Sequence, residues 1–378
     1  MKYKTLLLIL IGLSFLTCKS DAKKQNPPAT ISDVSKNIKK STSSEKNWED
    51  ITLRAAVLKD NEWMFIHPDG SFDALAGFTY ADNYSNGLAC VSSNGTRAGN
   101  ATYGATYFFI DKAGKKSDFF FDEPVRFDEE RAIVPKNRKK AIINRKGDFI
   151  AEGFDAILPY ENGLATAQIG DTLGFLDKEG EWSLQFPNTL LIEPFSHGLA
   201  RIKKDGKTGY MNKKGIWVVE PIWEKGFTFS GGLAGVKKGD LYGYIDTTGE
   251  LVVPLQFKDF GACKEGMCHV LKDEKWGFVD TNGNLVIDYQ FKKVSFFSEG
   301  LAAVQMEDNK IGFIDRAGKM RIEPQFDSVI DFKNGYCIVE KNKKLGFINK
   351  QGELITGLEF DRANNFVDIN ASNKLMRK

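Results

Sequence analysis

The stretch that decides the fold is Phe297-Ser-Glu-Gly-Leu-Ala-Ala-Val304, Gln305-Met-Glu-Asp-Asn-Lys310, Ile311-Gly-Phe-Ile-Asp-Arg-Ala-Gly318 and Lys319-Met-Arg-Ile-Glu-Pro-Gln-Phe326. Its apolar runs are short, rich in β-branched and aromatic residues, and interrupted by polar Gly- or Asn-containing steps, the pattern of strands joined by tight turns. Leu301–Gln305, Ile311–Ile314 and Met320–Ile322 read as three strands, with Pro324 ending the third. Phe326 and Phe332 then carry the chain into the next unit as a fourth, short edge strand.

The block Phe313-Ile-Asp-Arg-Ala-Gly318 has eight relatives along the chain, closing on Gly70, Gly114, Gly147, Gly180, Gly215, Gly249, Gly283 and Gly352. Successive closing glycines are 44, 33, 33, 35, 34, 34, 35 and 34 residues apart. A second block keeps the same step: Tyr84-Ser-Asn-Gly-Leu-Ala89, Phe195-Ser-His-Gly-Leu-Ala200, Phe229-Ser-Gly-Gly-Leu-Ala234 and Phe297-Ser-Glu-Gly-Leu-Ala302. A third is Glu220-Pro-Ile-Trp223, Val253-Pro-Leu-Gln-Phe257 and Glu323-Pro-Gln-Phe326. Asp or Asn three residues before a Gly is a turn signal, because the side chain bonds nearby backbone N–H groups and Gly takes the left-handed conformation.

Together these blocks resemble the WG-repeat (KWG-repeat) family of tandem β-rich repeats, common in bacterial envelope proteins. The Trp-Gly pair occurs literally once, as Lys275-Trp276-Gly277-Phe278, while Leu173, Thr208, Tyr242, Ile311 and Leu345 fill the Trp slot elsewhere before Gly174, Gly209, Gly243, Gly312 and Gly346. The resemblance covers roughly residues 52–378, and the first three repeats lack that Gly. It implies an all-β chain of about nine antiparallel meanders of roughly 34 residues. No single meander can bury its apolar face alone, so each must pack on the next. With 34 residues few for a propeller blade and nine units above the usual four to eight, the preferred architecture is an open, curved β-superhelix, and a closed propeller-like toroid is the alternative.

Upstream of the array, Lys2 and Lys4 precede the apolar run Leu6–Leu13, which ends at Ser14-Phe-Leu-Thr-Cys18. Such a run is an export signal, too short to span a bilayer, and Cys18 resembles the lipidated cysteine of a bacterial lipobox, although Thr17 and Phe15 depart from its preferred residues. Residues 1–17 are thus expected to be a lipoprotein signal peptide, 18–46 a basic, apolar-poor tether, and 47–378 the repeat domain, with 43 basic against 47 acidic residues. That balance disfavours a nucleic-acid partner. The expected location is the bacterial envelope, at the periplasmic or surface face of the outer membrane.

Chemistry-bearing residues are scarce. His67, His197 and His269 occupy slots where sister repeats hold unrelated residues, and no spaced His/Cys set, nucleophile elbow or phosphate loop is present. Asp111, Asp177, Asp246, Asp280 and Asp315 recur once per unit, as turn residues do. No catalytic residue, metal or cofactor is therefore expected. Cys268 and Cys337 replace the small Ala of Gly-Leu-Ala, Cys90 lies one residue further along, and Cys263 replaces the aromatic that opens the block. Core thiols are the preferred reading, with Cys263–Cys268 the nearest pair if a disulfide forms. The ten extra residues around Ser92–Gly104 form a long polar loop. The function expected is non-enzymatic binding or scaffolding of another envelope component. Carbohydrate or cell-wall glycan binding through Trp182, Trp217 and Trp223 is the alternative.

If the aromatic opening each block and the Leu of Gly-Leu-Ala form the inter-repeat core, each such side chain contributes about 1.5–3 kcal/mol. Leu301→Asp should then lower the thermal midpoint by melting the array around repeats seven and eight; an unchanged melt would remove Leu301 from that core.

Overall fold

The computed structural model describes residues 53–98, 101–187 and 191–369. Among them every regular element is a strand, and these form nine successive antiparallel sheets, here called blades one to nine, plus one small hairpin. The signal, the tether and Cys18 lie outside the described residues.

Blade eight shows how the repeat folds. Its strands are Lys293–Val294, Leu301–Gln305, Ile311–Asp315 and Met320–Phe326, hydrogen-bonded in that order. Between the first two, Glu299 and Gly300 both have positive φ (54° and 86°), and Ser298 and Leu301 exchange backbone hydrogen bonds at 2.8 and 3.1 Å. This is the two-residue turn whose twist matches that of its strands. Between the last two, Asp315 Oδ1 accepts from the N–H groups of Ala317 and Lys319, both at 3.0 Å. Gly318 N–H closes the loop on the Asp315 carbonyl at 2.9 Å. The closing glycines 114, 147, 180, 215, 249, 283, 318 and 352 all have φ between 78° and 92°, where a Cβ would be strained.

Gly312, in the Trp-Gly slot, has a different duty. A Cβ there would lie 2.4 Å from the Ile322 carbonyl oxygen and 2.8 Å from Pro324 N. The outer strand bulges against it. That strand does not end at proline, as the sequence reading had it: Met320–Phe326 runs through Pro324, Trp217–Trp223 through Pro221 and Leu251–Phe257 through Pro254. Each is the outermost strand of its sheet, where a missing N–H forfeits no ladder bond.

Nine buried apolar clusters lie between adjacent blades, one at every junction. Seven junctions carry an aromatic pair: the ring opening a block packs on a ring in the third strand of the preceding blade. Phe175–Phe195, Tyr210–Phe229, Phe278–Phe297 and Phe313–Phe332 have centroids 4.5 to 5.1 Å apart. The serine after the block aromatic adds a polar staple, as in Ser298 Oγ to the Phe332 carbonyl at 2.7 Å.

Closure completes the set. Blade one takes Leu53–Lys59, Glu62–Ile66 and Phe72–Phe78 from the start of the described chain, and Arg362–Ala363 and Val367–Asp368 from its end. Val57 pairs with Ala363 and Arg54 with Val367, while Phe366 packs on Phe347 at 4.8 Å and Tyr336 at 4.9 Å. The ends therefore meet, and the array is the closed nine-bladed toroid that the sequence left as its alternative. The open reading rests on nine units exceeding the usual four to eight and on 34 residues being few for four strands. The repeat meets that count with a first strand of only two residues in most blades.

Phe366 is 1 % exposed at the closing junction. Phe366→Ala should cost about 3–5 kcal/mol in chemical denaturation, whereas Phe120→Ala, at a ring 53 % exposed, should change stability by less than about 1 kcal/mol.

Candidate functional site

The turn acids are spent within their own loops. Asp111, Asp177, Asp246 and Asp280 each accept two backbone N–H bonds, as Asp315 does. His197 sits in a two-residue turn with φ 51°, its Nδ1 3.0 Å from Ser196 Oγ. His67 is fully buried. It stands 3.9 Å from Asp73, which pairs with Arg54 Nε at 3.0 Å, and Arg54 donates to the Lys112 carbonyl at 3.0 Å. This buried ionic group bridges blades one and two and is structural in geometry. Trp182 and Trp217 are half-buried and Trp223 is buried, each within an inter-blade cluster, so the three rings form no exposed row for stacking on sugars. The polar insertion folds in part as the hairpin Thr96–Ala98 and Ala101–Tyr103. Among the described residues no group of three or more His, Cys, Asp or Glu is placed to hold a metal.

A break in the repeat occurs between blades six and seven. The position that holds Phe229 or Phe297 elsewhere is Cys263, so Tyr244 has no block aromatic to pack against. Cys263 instead forms a disulfide with Cys268, directly across the ladder, with Cα atoms 4.1 Å apart. This differs from the core-thiol reading of these two residues, because their slots in adjacent strands fall opposite each other. Cys90 and Cys337 are buried free thiols, and burial pushes the Cys90 thiol up to about 12. The bonded strand, Asp259–Lys264, has six residues where blades six and eight have two.

The missing ring leaves a cavity of about 260 Å³ lined by Phe227, Thr228, Leu233, Gly235, Tyr244 and Asp259–Cys263. Two glycines shape it. A Cβ on Gly235 would lie 1.9 Å from the Phe260 ring, and one on Gly261 would lie 1.6 Å from His269 Nε2. Phe260 thus wedges in from three residues upstream of the vacated slot, 4.7 Å from Phe227, 5.0 Å from Tyr242 and 5.5 Å from Tyr244. Tyr244 donates to the Gly261 carbonyl at 2.8 Å and holds that strand in place. Phe227 is 37 % exposed, and Asp259 is exposed at the mouth.

Blade five supplies a polar flank. Arg201 Nε donates to Glu193 Oε2 at 2.8 Å and Arg201 Nη1 to the Gly226 carbonyl at 2.6 Å. Thr228 Oγ1 donates to the same Glu193 oxygen at 2.6 Å. The site is therefore an aromatic-walled slot with a carboxylate at its mouth and a fixed ion pair beside it, suited to holding an apolar side chain. Its two sulfurs are joined to each other, so neither is a nucleophile. The sequence signal was the conjunction of Cys263 in an aromatic slot with Gly235 and Gly261. Only the first stood out, because the value of the glycines depends on which rings fill their space.

The WG containing repeat description matches residues 142–172, 174–207, 209–242, 242–276, 276–310, 311–344 and 346–368. The chain belongs to the WG-repeat family. The matched repeats begin within blade three, and the earlier ones are those lacking the Trp-Gly glycine. No curated protein matches the chain. Among solved structures it is similar to a eukaryotic initiation factor, with a TM-score of 0.57 and 12% identity over 82% of this chain and 98% of that one. It is also similar to the computationally designed Ika8 protein, with a TM-score of 0.38 and 13% identity over 74% and 95%. At such identities the first likeness speaks to fold alone, and the second carries no argument.

His269 lies against Gly261, behind the slot's lining, and beside Trp276, ring centroids 5.3 Å apart. Burial lowers its pKa to about 4, with the Asp259 charge acting in the opposite sense. His67 is lowered too, chiefly by burial. A folded pKa below the unfolded value of about 6.5 means the unfolded chain binds the extra proton first. The stabilising contribution is full above pH 6.5 and is lost as pH falls toward 4, by up to roughly 3 kcal/mol for His269. Urea denaturation at pH 7, 5.5 and 4.5 should show this fall, and His269→Phe should flatten it; equal wild-type stability at the three pH values would refute the assignment.

Proposed function

We propose that this WG-repeat chain is a non-enzymatic binding module of the bacterial envelope, held to the membrane through a lipid on Cys18 and carrying its partner on the slot between blades six and seven. A β-rich repeat ring of this kind suggests a binding or scaffold role. The observation that carries the finer reading is the vacated aromatic position at Cys263, occupied in part by Phe260 and bordered by the exposed ring of Phe227. Every neighbouring repeat fills the equivalent space with its own block aromatic. Here a partner can supply the missing apolar group, and Asp259 together with the Arg201–Glu193 pair can orient the polar atoms around it. The favoured partner is another envelope protein, because the slot is small, apolar at its floor and polar at its rim.

The test uses immobilised residues 47–378 to capture material from detergent-solubilised envelope, in parallel with a Phe227→Glu variant. A protein held at near-equal stoichiometry by the wild type should bind at least tenfold more weakly to the variant, a loss of about 1.4 kcal/mol or more. Equal capture by both would remove the slot from the interface, and glycan enrichment without protein would move the function to carbohydrate binding.

A further inference from the structure

The outer edge of a blade is a row of backbone groups open to pairing, and seven of the nine blades interrupt theirs. Blades five, six and eight place Pro221, Pro254 and Pro324 within the outer strand. Blade four ends its outer strand on Pro187 and turns the exposed polar residues Ser183 and Gln185 outward. Blades one, three and nine carry Gly77, Gly153 and Gly357 near the corresponding place, and in blade two the outer segment is joined only by isolated bridges at Lys116 and Phe121. Such interruptions are how sheet proteins protect an edge.

Blade seven shares the bulge of its neighbours and exposes Asp288 and Gln290 along the edge, but its strand is otherwise continuous. Its outer strand, Leu285-Val-Ile-Asp-Tyr-Gln-Phe291, contains neither Pro nor Gly and is rich in residues that favour strands. Trp276, Phe278 and Val279 pair with one side, and no strand among the described residues pairs with the other. Leu285 and Val286 are 47 % and 45 % exposed, and Asp288 is exposed between them and Gln290. The charges that bear on this edge are Asp288 and Asp273, which both act on Tyr289, and Lys272, whose ammonium stands 5.7 Å from the Tyr289 ring.

We propose that the outer edge of blade seven is a strand-addition site, which takes an extended segment of a partner protein bearing a basic residue opposite Asp288. Main-chain bonds along Leu285–Phe291 supply the affinity, and Val286 and Asp288 read the side chains of the added strand. The acidic residue selects against a second copy of this chain, because antiparallel self-pairing centred on the strand sets Asp288 against Asp288. This edge is distinct from the slot lined by Phe227 and Phe260, so failure of either leaves the other standing.

Blade six supplies the blocking variant, since its outer strand, Leu251-Val-Val-Pro-Leu-Gln-Phe257, has Pro254 where blade seven has Asp288. The probe is a fluorescein-labelled nine-residue peptide of alternating valine and lysine, titrated with the full chain in detergent and followed by fluorescence anisotropy. Saturable binding is expected, weakened at least tenfold by Asp288→Pro and by N-methylation of alternate peptide amides. Asp288→Lys, which leaves the backbone intact should the proline variant fail to fold, is expected to weaken the lysine peptide and to favour one of alternating valine and glutamate. Absence of saturation, or equal binding of the N-methylated peptide, would overturn the site. A concentration-dependent dimer in sedimentation, abolished by Asp288→Pro or Asp288→Lys, would give the edge to a second copy and overturn the partner assignment.

Discussion

The contact between one aromatic ring in the third strand of a blade and one aromatic ring opening the next block holds this protein together. A four-stranded meander of about 34 residues has too little apolar surface to stand alone, and its first strand is often only two residues long. At seven of the nine junctions the ring pair links one sheet to the next, and in four blocks the serine that follows adds a hydrogen bond to the neighbour's backbone. Stability in such an array is close to a sum of junction terms. Nine similar junctions therefore bring the ninth blade back to the first, where Phe366 completes the same contact with Phe347.

The same dependence explains where the ring differs from itself. Two junctions lack the aromatic pair. Between blades three and four, Ile142 and Tyr160 fill the space together in a closed cluster. Between blades six and seven the substitute is a disulfide cysteine, which is smaller than the ring it replaces. Phe260 occupies part of the vacancy only because Gly235 has no side chain, and His269 fits only because Gly261 has none. What remains is a slot with an apolar floor. A repeat scaffold can thus acquire a recognition site by omitting one packing group, while both neighbouring junctions keep theirs.

The junction between blades one and two is another variation. There Arg54 and Asp73 form a buried ion pair, with His67 3.9 Å from Asp73. A buried pair of this kind adds little net stability over apolar packing, though removing one partner is costly. Its place beside the strands that close the ring fits a role in fixing the register of that blade, since misplacing Leu53–Lys59 by one residue would leave a charge buried without its partner.

Much of this was legible from local chemistry. Asp or Asn three residues before Gly specifies its turn by side-chain hydrogen bonds within five residues, and Ser-x-Gly-Leu specifies the other hairpin by two positive φ angles, so strand order and repeat length follow from the chain alone. The Trp-Gly glycine recurs visibly in the sequence, but that it makes room for the bulged outer strand is a tertiary fact. Likewise Pro324 looked like a strand end, because only the sheet order reveals that it lies on an unpaired edge. Closure depended on the small rotation accumulated at nine junctions, which no single repeat encodes visibly. The pairing of Cys263 with Cys268 and the slot beside it arose from which side chains meet across strands and blades. Sequence alone determined the turns, the strands and the repeat; the tertiary structure decided closure and site, because both depend on contacts between residues of different repeats.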